Sequence, residues 1–444
     1  MNKIFQHLSM KSVAAVFLSC VSYVWIAYGI ERSSFYLFFV LYATSFIAFL
    51  YLIFKGKENQ NTLIFVAFGF RILLLFAIPN LSDDFYRFIW DGRMIWEGLN
   101  PYLVLPVNDT SLVGEGRLLY EGMGAMNGSH YTCYPPVNQF AFLIPAIFFS
   151  KNLLGATLVM RLLLILADLG TFIFGKKILN LLKLPSKYIF LYILNPFIIL
   201  ELTGNLHFEG LMIFFLAIAI YYLLKNKWLY SAVAFAVSVS VKLVPLLFVP
   251  IFIKKIGFWK TVGYGSLVIL INLLFFLPFM SQDLYDNFMD SIHLYFQNFE
   301  FNASIYYIIR EIGFQVKGYN IIHSVGKVTP ILVIFAVAMF AFFRNNKNPK
   351  ILFESLLFSI CIYYSLASIV HPWYVAIPLF LSVFTRYKFP LVWSFMIVLS
   401  YAAYQTSEYH ENLYLVFLEY AVVYGVLLWE LIGRKNDFPE ISEV

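Results

Sequence analysis

The chain is a succession of apolar runs, most of them close to the ~20 residues a helix needs to cross a bilayer. They fall at about residues 10–30, 34–54, 62–79, 155–175, 188–204, 207–224, 261–279, 327–343, 351–370, 373–385, 389–404 and 413–432. Lipid cannot hydrogen-bond a backbone, so runs of this length are expected to be helices that satisfy their own N–H and C=O groups. Composition agrees: 61% of the 444 residues are hydrophobic and 13% are charged, against roughly 25% charged in a soluble domain. The expected fold is an all-α polytopic membrane protein, read as one membrane domain over residues 1–444 with no repeat and no soluble domain.

The first run, Met10 to Ile30, is too long for a signal-peptide core and lacks a small-residue cleavage site, so it is expected to stay as a helix. Cys20 and Cys361 lie in apolar runs and Cys133 in a polar loop, which leaves no evident disulfide or cysteine-based metal site.

Basic residues mark cytoplasmic loops. Placing Lys55/Lys57, Lys176/Lys177, Lys183/Lys187, Lys225/Lys227, Lys254/Lys255/Lys260, Arg344/Lys347/Lys350, Arg386/Lys388 and Arg434/Lys435 inside puts the amino terminus, with Lys3 and Lys11, inside as well. Most acids then fall outside, including Asp83, Asp84, Asp91, Glu97, Asp283, Asp286 and Asp290. The net charge of +6 thus reports topology and not nucleic-acid binding. Two segments resist a simple span. Trp228–Ile253 carries Lys242 and Pro245 in its middle and reads as a helical hairpin or broken pair; Tyr134–Ser150 reads as a re-entrant or surface helix.

Chemistry is expected in two large outer loops, residues 80–136 and 280–326. The first opens with Asp83-Asp84-Phe85-Tyr86-Arg87-Phe88-Ile89-Trp90-Asp91, in which helical spacing puts Asp84, Arg87, Phe88 and Asp91 on one face and leaves Asp83 to cap the helix. A plain amphipathic interfacial helix with an ordinary acidic N-cap and an Asp–Arg pair would read the same way, but it leaves two adjacent acids at a membrane exit unexplained. Asn205, His207 and Glu209 lie around a turn between two runs, where they either satisfy one another or bind sugar hydroxyls or a phosphate. His371-Pro372-Trp373-Tyr374 marks a bend, either an anion site or an aromatic anchor. Arg161 and Asp168 share a helix face two turns apart; buried ions need partners, so structural pairing is favoured. Arg310 is either a phosphate ligand or half of a surface ion pair. These groups are expected to converge on an extracytoplasmic pocket. No Walker loop, GxGxxG, HExxH or CxxC is present, so nucleotide-driven chemistry has no visible machinery.

Read in order, the acidic loop with Asp91-Gly92-Arg93 and Asn100-Pro101-Tyr102, then Tyr134-Pro135-Pro136, Met160-Arg161 to Asp168, Asn195-Pro196, the Asn205/His207/Glu209 turn, Val241-Lys242-Leu243-Val244-Pro245, Leu277-Pro278-Phe279 and His371-Pro372-Trp373-Tyr374 resemble the GT-C superfamily. These are integral-membrane glycosyltransferases, and the bacterial polyprenol-phosphate-mannose-dependent mannosyltransferases look most similar. The resemblance implies a bundle of about 12–14 transmembrane helices in the bacterial plasma (inner) membrane, with its active site facing the periplasm or exterior. It implies inverting transfer of a hexose, most of all mannose, from a polyprenyl-phosphate carrier to a hydroxyl on a lipid or glycan acceptor. An outer-loop aspartate is the general base. Asp83 matches the family's acidic position best, with Asp84 next. Arg87, Asp91, Tyr134, Asn205, His207, Glu209, Lys242, Arg310, His371 and Tyr374 are the expected substrate-binding residues, with Arg310, Lys242 or His371 meeting the leaving phosphate. A divalent metal could assist through Asp83 and Asp84, but two carboxylates without a third ligand do not establish a site, so no cofactor is assigned. The family's large carboxy-terminal soluble domain is not seen, so acceptor recognition is assigned to the membrane domain or another protein. The rival reading is a secondary transporter or flippase, which would place its ionisable residues near the midplane.

Overall fold

A computed structural model describes residues 9–297, 299–406 and 409–433; Lys3, Arg434 and Lys435 lie outside the described residues. Within them the secondary structure is helical, with one isolated bridge between Phe301 and Ile369. Seven helices are long and apolar enough to cross a membrane: Met10–Tyr28, Phe35–Phe54, Leu153–Leu181, Phe258–Phe279, Ile322–Phe343, Pro349–Leu366 and Leu413–Ile432. A bent pair, Ser186–Ile193 with Pro196–Gly204, turns by 50° at a short break. Of six shorter apolar helices, Gln60–Leu73, Glu209–Leu224, Pro372–Ser382 and Phe389–Tyr404 account for the remaining runs, while Pro136–Phe148 and Trp228–Val241 belong to the two segments that resisted a simple span. The chain is therefore an all-α polytopic membrane protein. Its surface agrees, because Ile331, Ile334 and Phe335 on Ile322–Phe343 are exposed, as a lipid-facing helix requires.

The described residues form two compact units. The first lies within Met1–Leu81, Arg161–Gly210 and Pro372–Val444, and the second within Ser82–Met160 and Leu211–His371.

In the first unit, buried ions meet their electrostatic cost with fixed partners. Arg71 Nε lies 2.7 Å from Asp168 Oδ2, both groups almost wholly buried, and Arg71 also donates to the Ala67 and Ile193 carbonyls. Arg161 instead donates to the Thr203, Leu75 and Gly204 carbonyls. Arg161 and Asp168 are both held by partners, as buried ions require, but those partners are other groups: Asp168 pairs with Arg71, and Arg161 has backbone carbonyls. The break at Asn195-Pro196 follows from chemistry: the asparagine side chain caps Phe197 N–H, and Pro196 starts a new helix. Beyond it, residues Ile199–Gly204 wind as a π-helix, a form concentrated at functional sites.

In the second unit, the helix Asp84–Trp96 lies directly on Pro136–Phe148. The contact runs through Gly92: a Cβ there would sit 1.9 Å from the Phe142 carbonyl oxygen. Phe88 stacks on Phe142 at 4.6 Å and 7°. The Trp228–Ile253 segment is a broken pair: the helix Trp228–Val241 stops at an extended Lys242, and a tighter helix follows over Val244–Phe252.

Candidate active site

The second unit brings the two large loops together. Asn287 and Ser291, on the helix Leu284–Gln297, donate to the carbonyls of Tyr102 and Tyr131, and Asn100 donates to the Phe279 carbonyl. Tyr102, Phe279 and Leu284 close an apolar cluster beneath these bonds. The same unit holds a cavity of about 30 Å³, lined by Asp84, Arg87, His130, Thr132 and Tyr134 among others. Such a volume has room for a hydroxyl or a water.

Asp84 opens its helix and is half buried; Asp83 is exposed at the preceding position and makes no side-chain capping bond, contrary to the expectation from spacing. Two acids at a helix start also have a plain electrostatic reason to be there, since they face the positive end of the helix dipole. The cavity adds to that reason. Arg87, one turn on, is buried and held by three acceptors: Asp91 Oδ1 at 2.8 Å and the carbonyls of Asn127 and His130, each at 2.8 Å. Gln139 donates to Asp91 Oδ2 at 3.0 Å and to Thr132 at 2.9 Å, completing a network that sequence reasoning missed at Gln139 and Thr132. Burial first, and then the charge of Asp83, raise the Tyr86 phenol above its ordinary value, so Tyr86 stays a neutral donor. The Tyr134 ring faces Phe88 and Phe142, and Lys242 Nζ lies 5.6 Å from its centroid.

Arg310 has a different neighbour. It forms an ion pair with Glu300, whose other oxygen accepts from Tyr306 and Asn320. Burial, followed by the bond and charge of Glu300, pushes the Tyr306 phenol well above its usual value. The surface-pair alternative for Arg310 is thus the arrangement found. His371 lies against the Phe301 ring at 4.9 Å. There, Phe301 N–H donates to the Ser368 carbonyl and its own carbonyl accepts from Val370 N–H.

The first unit gathers the other motifs. His207 stacks on Trp373 with centroids 3.6 Å apart and 20° between planes, which joins the Asn205–Glu209 turn to the Trp373-Tyr374 motif. Asn205 Nδ2 donates to Glu201 Oε2 at 3.3 Å, and His207 Nε2 stands 3.9 Å from the same oxygen. Tyr401 donates to Glu201 Oε1 at 2.7 Å. Glu209 begins the next helix, buried, and Tyr374 is half buried with its ring edge-on to Trp373. Glu201 is the other residue that sequence reasoning missed, although a lone acid within the apolar run 188–204 is a signal by itself.

Taken together, the all-α fold with its apolar spans defines an integral membrane protein that carries polar clusters within its apolar elements. A family model described as alpha-(1->6)-mannopyranosyltransferase, N-terminal domain, matches residues 9–256; a second, described as ALG3 protein, matches residues 205–385. The chain belongs to the alpha-(1->6)-mannopyranosyltransferase family, and with it to the GT-C-like membrane mannosyltransferases. It is 25% identical over 195 residues to alpha-(1->6)-mannopyranosyltransferase A of Corynebacterium glutamicum, covering 43% of this chain and 38% of that one. It is 23% identical over 171 residues to the Mycobacterium tuberculosis protein of the same name, covering 38% and 32%. The matched stretches thus span about a third of the length of these relatives, or slightly more.

Proposed function

We propose that this protein transfers mannose from a polyprenyl-phosphate carrier to a hydroxyl on a lipid or glycan acceptor, on the extracytoplasmic side of a bacterial inner membrane. The observation that carries the reading is Asp84 on the lining of a small cavity beside the buried Arg87, in a chain whose family is mannosyltransferases. Asp84 takes the acceptor's proton as the acceptor oxygen bonds to the sugar's anomeric carbon. The bond from that carbon to the phosphate oxygen breaks, the polyprenyl phosphate leaves with the electron pair, and the configuration inverts. Asp84 is favoured over Asp83 as base because it lines the cavity. Arg87 and Tyr134 line that cavity, Asp91 holds Arg87 in place, and Lys242 supplies positive charge beside Tyr134. In the other unit, Asn205, His207, Glu209 and Tyr374 offer groups suited to sugar hydroxyls or a phosphate. Arg310 and His371 remain assigned to substrate binding, with Arg310 required to exchange Glu300 for the anion.

The test uses the full chain in liposomes with a panel of polyprenyl-phosphate sugars. Polyprenyl-phosphate mannose should be turned over, and Asp84→Asn should lower kcat by roughly 10²–10⁴-fold, the share usual for a positioned base. Asp83→Asn should cost less. Undiminished turnover in Asp84→Asn, or movement of the lipid-linked sugar across the bilayer without transfer, would reject the reading.

A further inference from the structure

His130 and Asp84 line the same small cavity in the second unit. The histidine follows the last turn of the helix Gly116–Gly128, in which Gly124 at φ 75 interrupts the winding. That turn is pinned from outside. Arg87 donates to the Asn127 and His130 carbonyls, each at 2.8 Å, and Val107 N–H donates to the Gly128 carbonyl at 3.0 Å. His130 is thus fixed, through its own backbone, to an arginine that lines the same cavity.

One contact sets the chemistry of the ring. Nδ1 lies 2.6 Å from the Met126 carbonyl oxygen, and a carbonyl only accepts, so Nδ1 carries a proton. The Ser129 hydroxyl donates to the same carbonyl at 3.0 Å, which leaves its oxygen to accept from Nδ1 at 3.1 Å. In a neutral ring protonated at Nδ1, Nε2 is an acceptor. Among the described residues no group bonds to Nε2, and the side chain is half exposed. Capping a carbonyl at a helix end accounts for Nδ1. It uses one edge of the ring and gives no reason for its place beside Asp84.

Resting on the sugar-transfer reading, we infer that His130 selects the acceptor: Nε2 accepts a hydrogen bond from a second hydroxyl of the molecule whose first hydroxyl Asp84 deprotonates. A hydroxyl has one hydrogen to give, so a carboxylate and an imidazole lone pair on one cavity need two donors between them. The acceptor class is therefore a glycan, whose neighbouring hydroxyls supply both, and not a lipid alcohol with a single one.

The full chain in liposomes is assayed with polyprenyl-phosphate mannose as donor, and with methyl α-mannopyranoside, its monodeoxy derivatives or cyclohexanol as acceptor. One deoxy compound, lacking the hydroxyl that receives the sugar, should be inert. One other should show a KM raised by about 3–10-fold, the scale of a single hydrogen bond. His130→Ala should raise the KM of the intact mannoside by a similar factor with kcat little changed, and in that variant the second deoxy compound should match the mannoside within about twofold. His130→Gln, whose amide oxygen can take the place of Nε2, should recover part of the loss. Losses that multiply, a KM untouched in His130→Ala, or cyclohexanol serving the parent as well as the mannoside does would each overturn the inference. The comparison of acceptors on the parent needs no variant and decides the matter even where His130 cannot be replaced. A second readout is independent of turnover: in protein labelled with ¹⁵N-histidine at alkaline pH, the signal absent from His130→Gln should report a ring protonated at Nδ1, and methyl mannoside should shift it. A ring protonated at Nε2, or a signal that the mannoside leaves unmoved, overturns the inference. Absence of transfer from every polyprenyl sugar would instead reject the sugar-transfer reading, and the histidine signal would still decide whether Nε2 takes a sugar hydroxyl.

Discussion

Arg87 illustrates how one buried cation can organise the turn beside a cavity that it also lines. Its Nε, directed at Asp91, and its Nη1, shared between two carbonyls of the 127–130 turn, hold it in a planar fork that lysine cannot reproduce. Arg87→Lys should therefore keep the charge and lose the geometry. We expect transfer to fall by roughly 10–100-fold, the penalty of a displacement near 1 Å at a reacting group, with helical content unchanged by circular dichroism. A variant with the parent's kcat would remove Arg87 from the site. The spacing of Arg87 and Asp91 made their pairing readable in sequence, since residues four apart meet on a helix. Gln139, 48 residues from Asp91, was not readable, because nothing local reports a partner that distant.

Among the elements, the contact of Asp84–Trp96 with Pro136–Phe148 carries the site. Gly92 lets the two backbones approach, and a methyl group there has no space beside the Phe142 carbonyl. Gly92→Ala should destabilise the protein by about 1–3 kcal/mol, the usual cost of overpacking. It should also reduce transfer by tilting the helix that bears Asp84. Thermal unfolding in detergent and the liposome assay together check this; a variant as stable and as active as the parent would show that the contact is slack. Apolar length made the long helices legible, as Phe35–Phe54 and Leu413–Ile432 show against the runs 34–54 and 413–432. It could not find the partner of Asp168. Arg71 belongs to a helix 97 residues upstream and reads in sequence as one charge inside an apolar run.

For the whole molecule, the legible part was class and family, because both rest on patterns spread over many residues. The gathering of His207, Asn205 and Tyr401 at Glu201 was not legible, since it depends on a π-helical turn and a left-handed Leu206 that no periodicity announces. Sidedness is the prediction at this scale. With the basic loops cytoplasmic, single cysteines at Lys225 or Lys350 in a cysteine-free background should react with a membrane-impermeant maleimide only after the cytoplasmic face is opened. Cysteines at Asp109 or Asp286 should react in intact cells. The reverse pattern would put the acidic loops in the cytoplasm and exclude an extracytoplasmic reaction.

The imidazole lying flat on the indole of Trp373 has a use beyond holding a ring in place. A histidine in van der Waals contact with a tryptophan face quenches its emission, and more so when protonated. The difference in fluorescence between the parent and Trp373→Phe should therefore isolate one optical signal among the eight tryptophans. That signal would brighten or dim as a lipid-linked sugar arrives, so occupancy of this region could be followed in real time without any added dye.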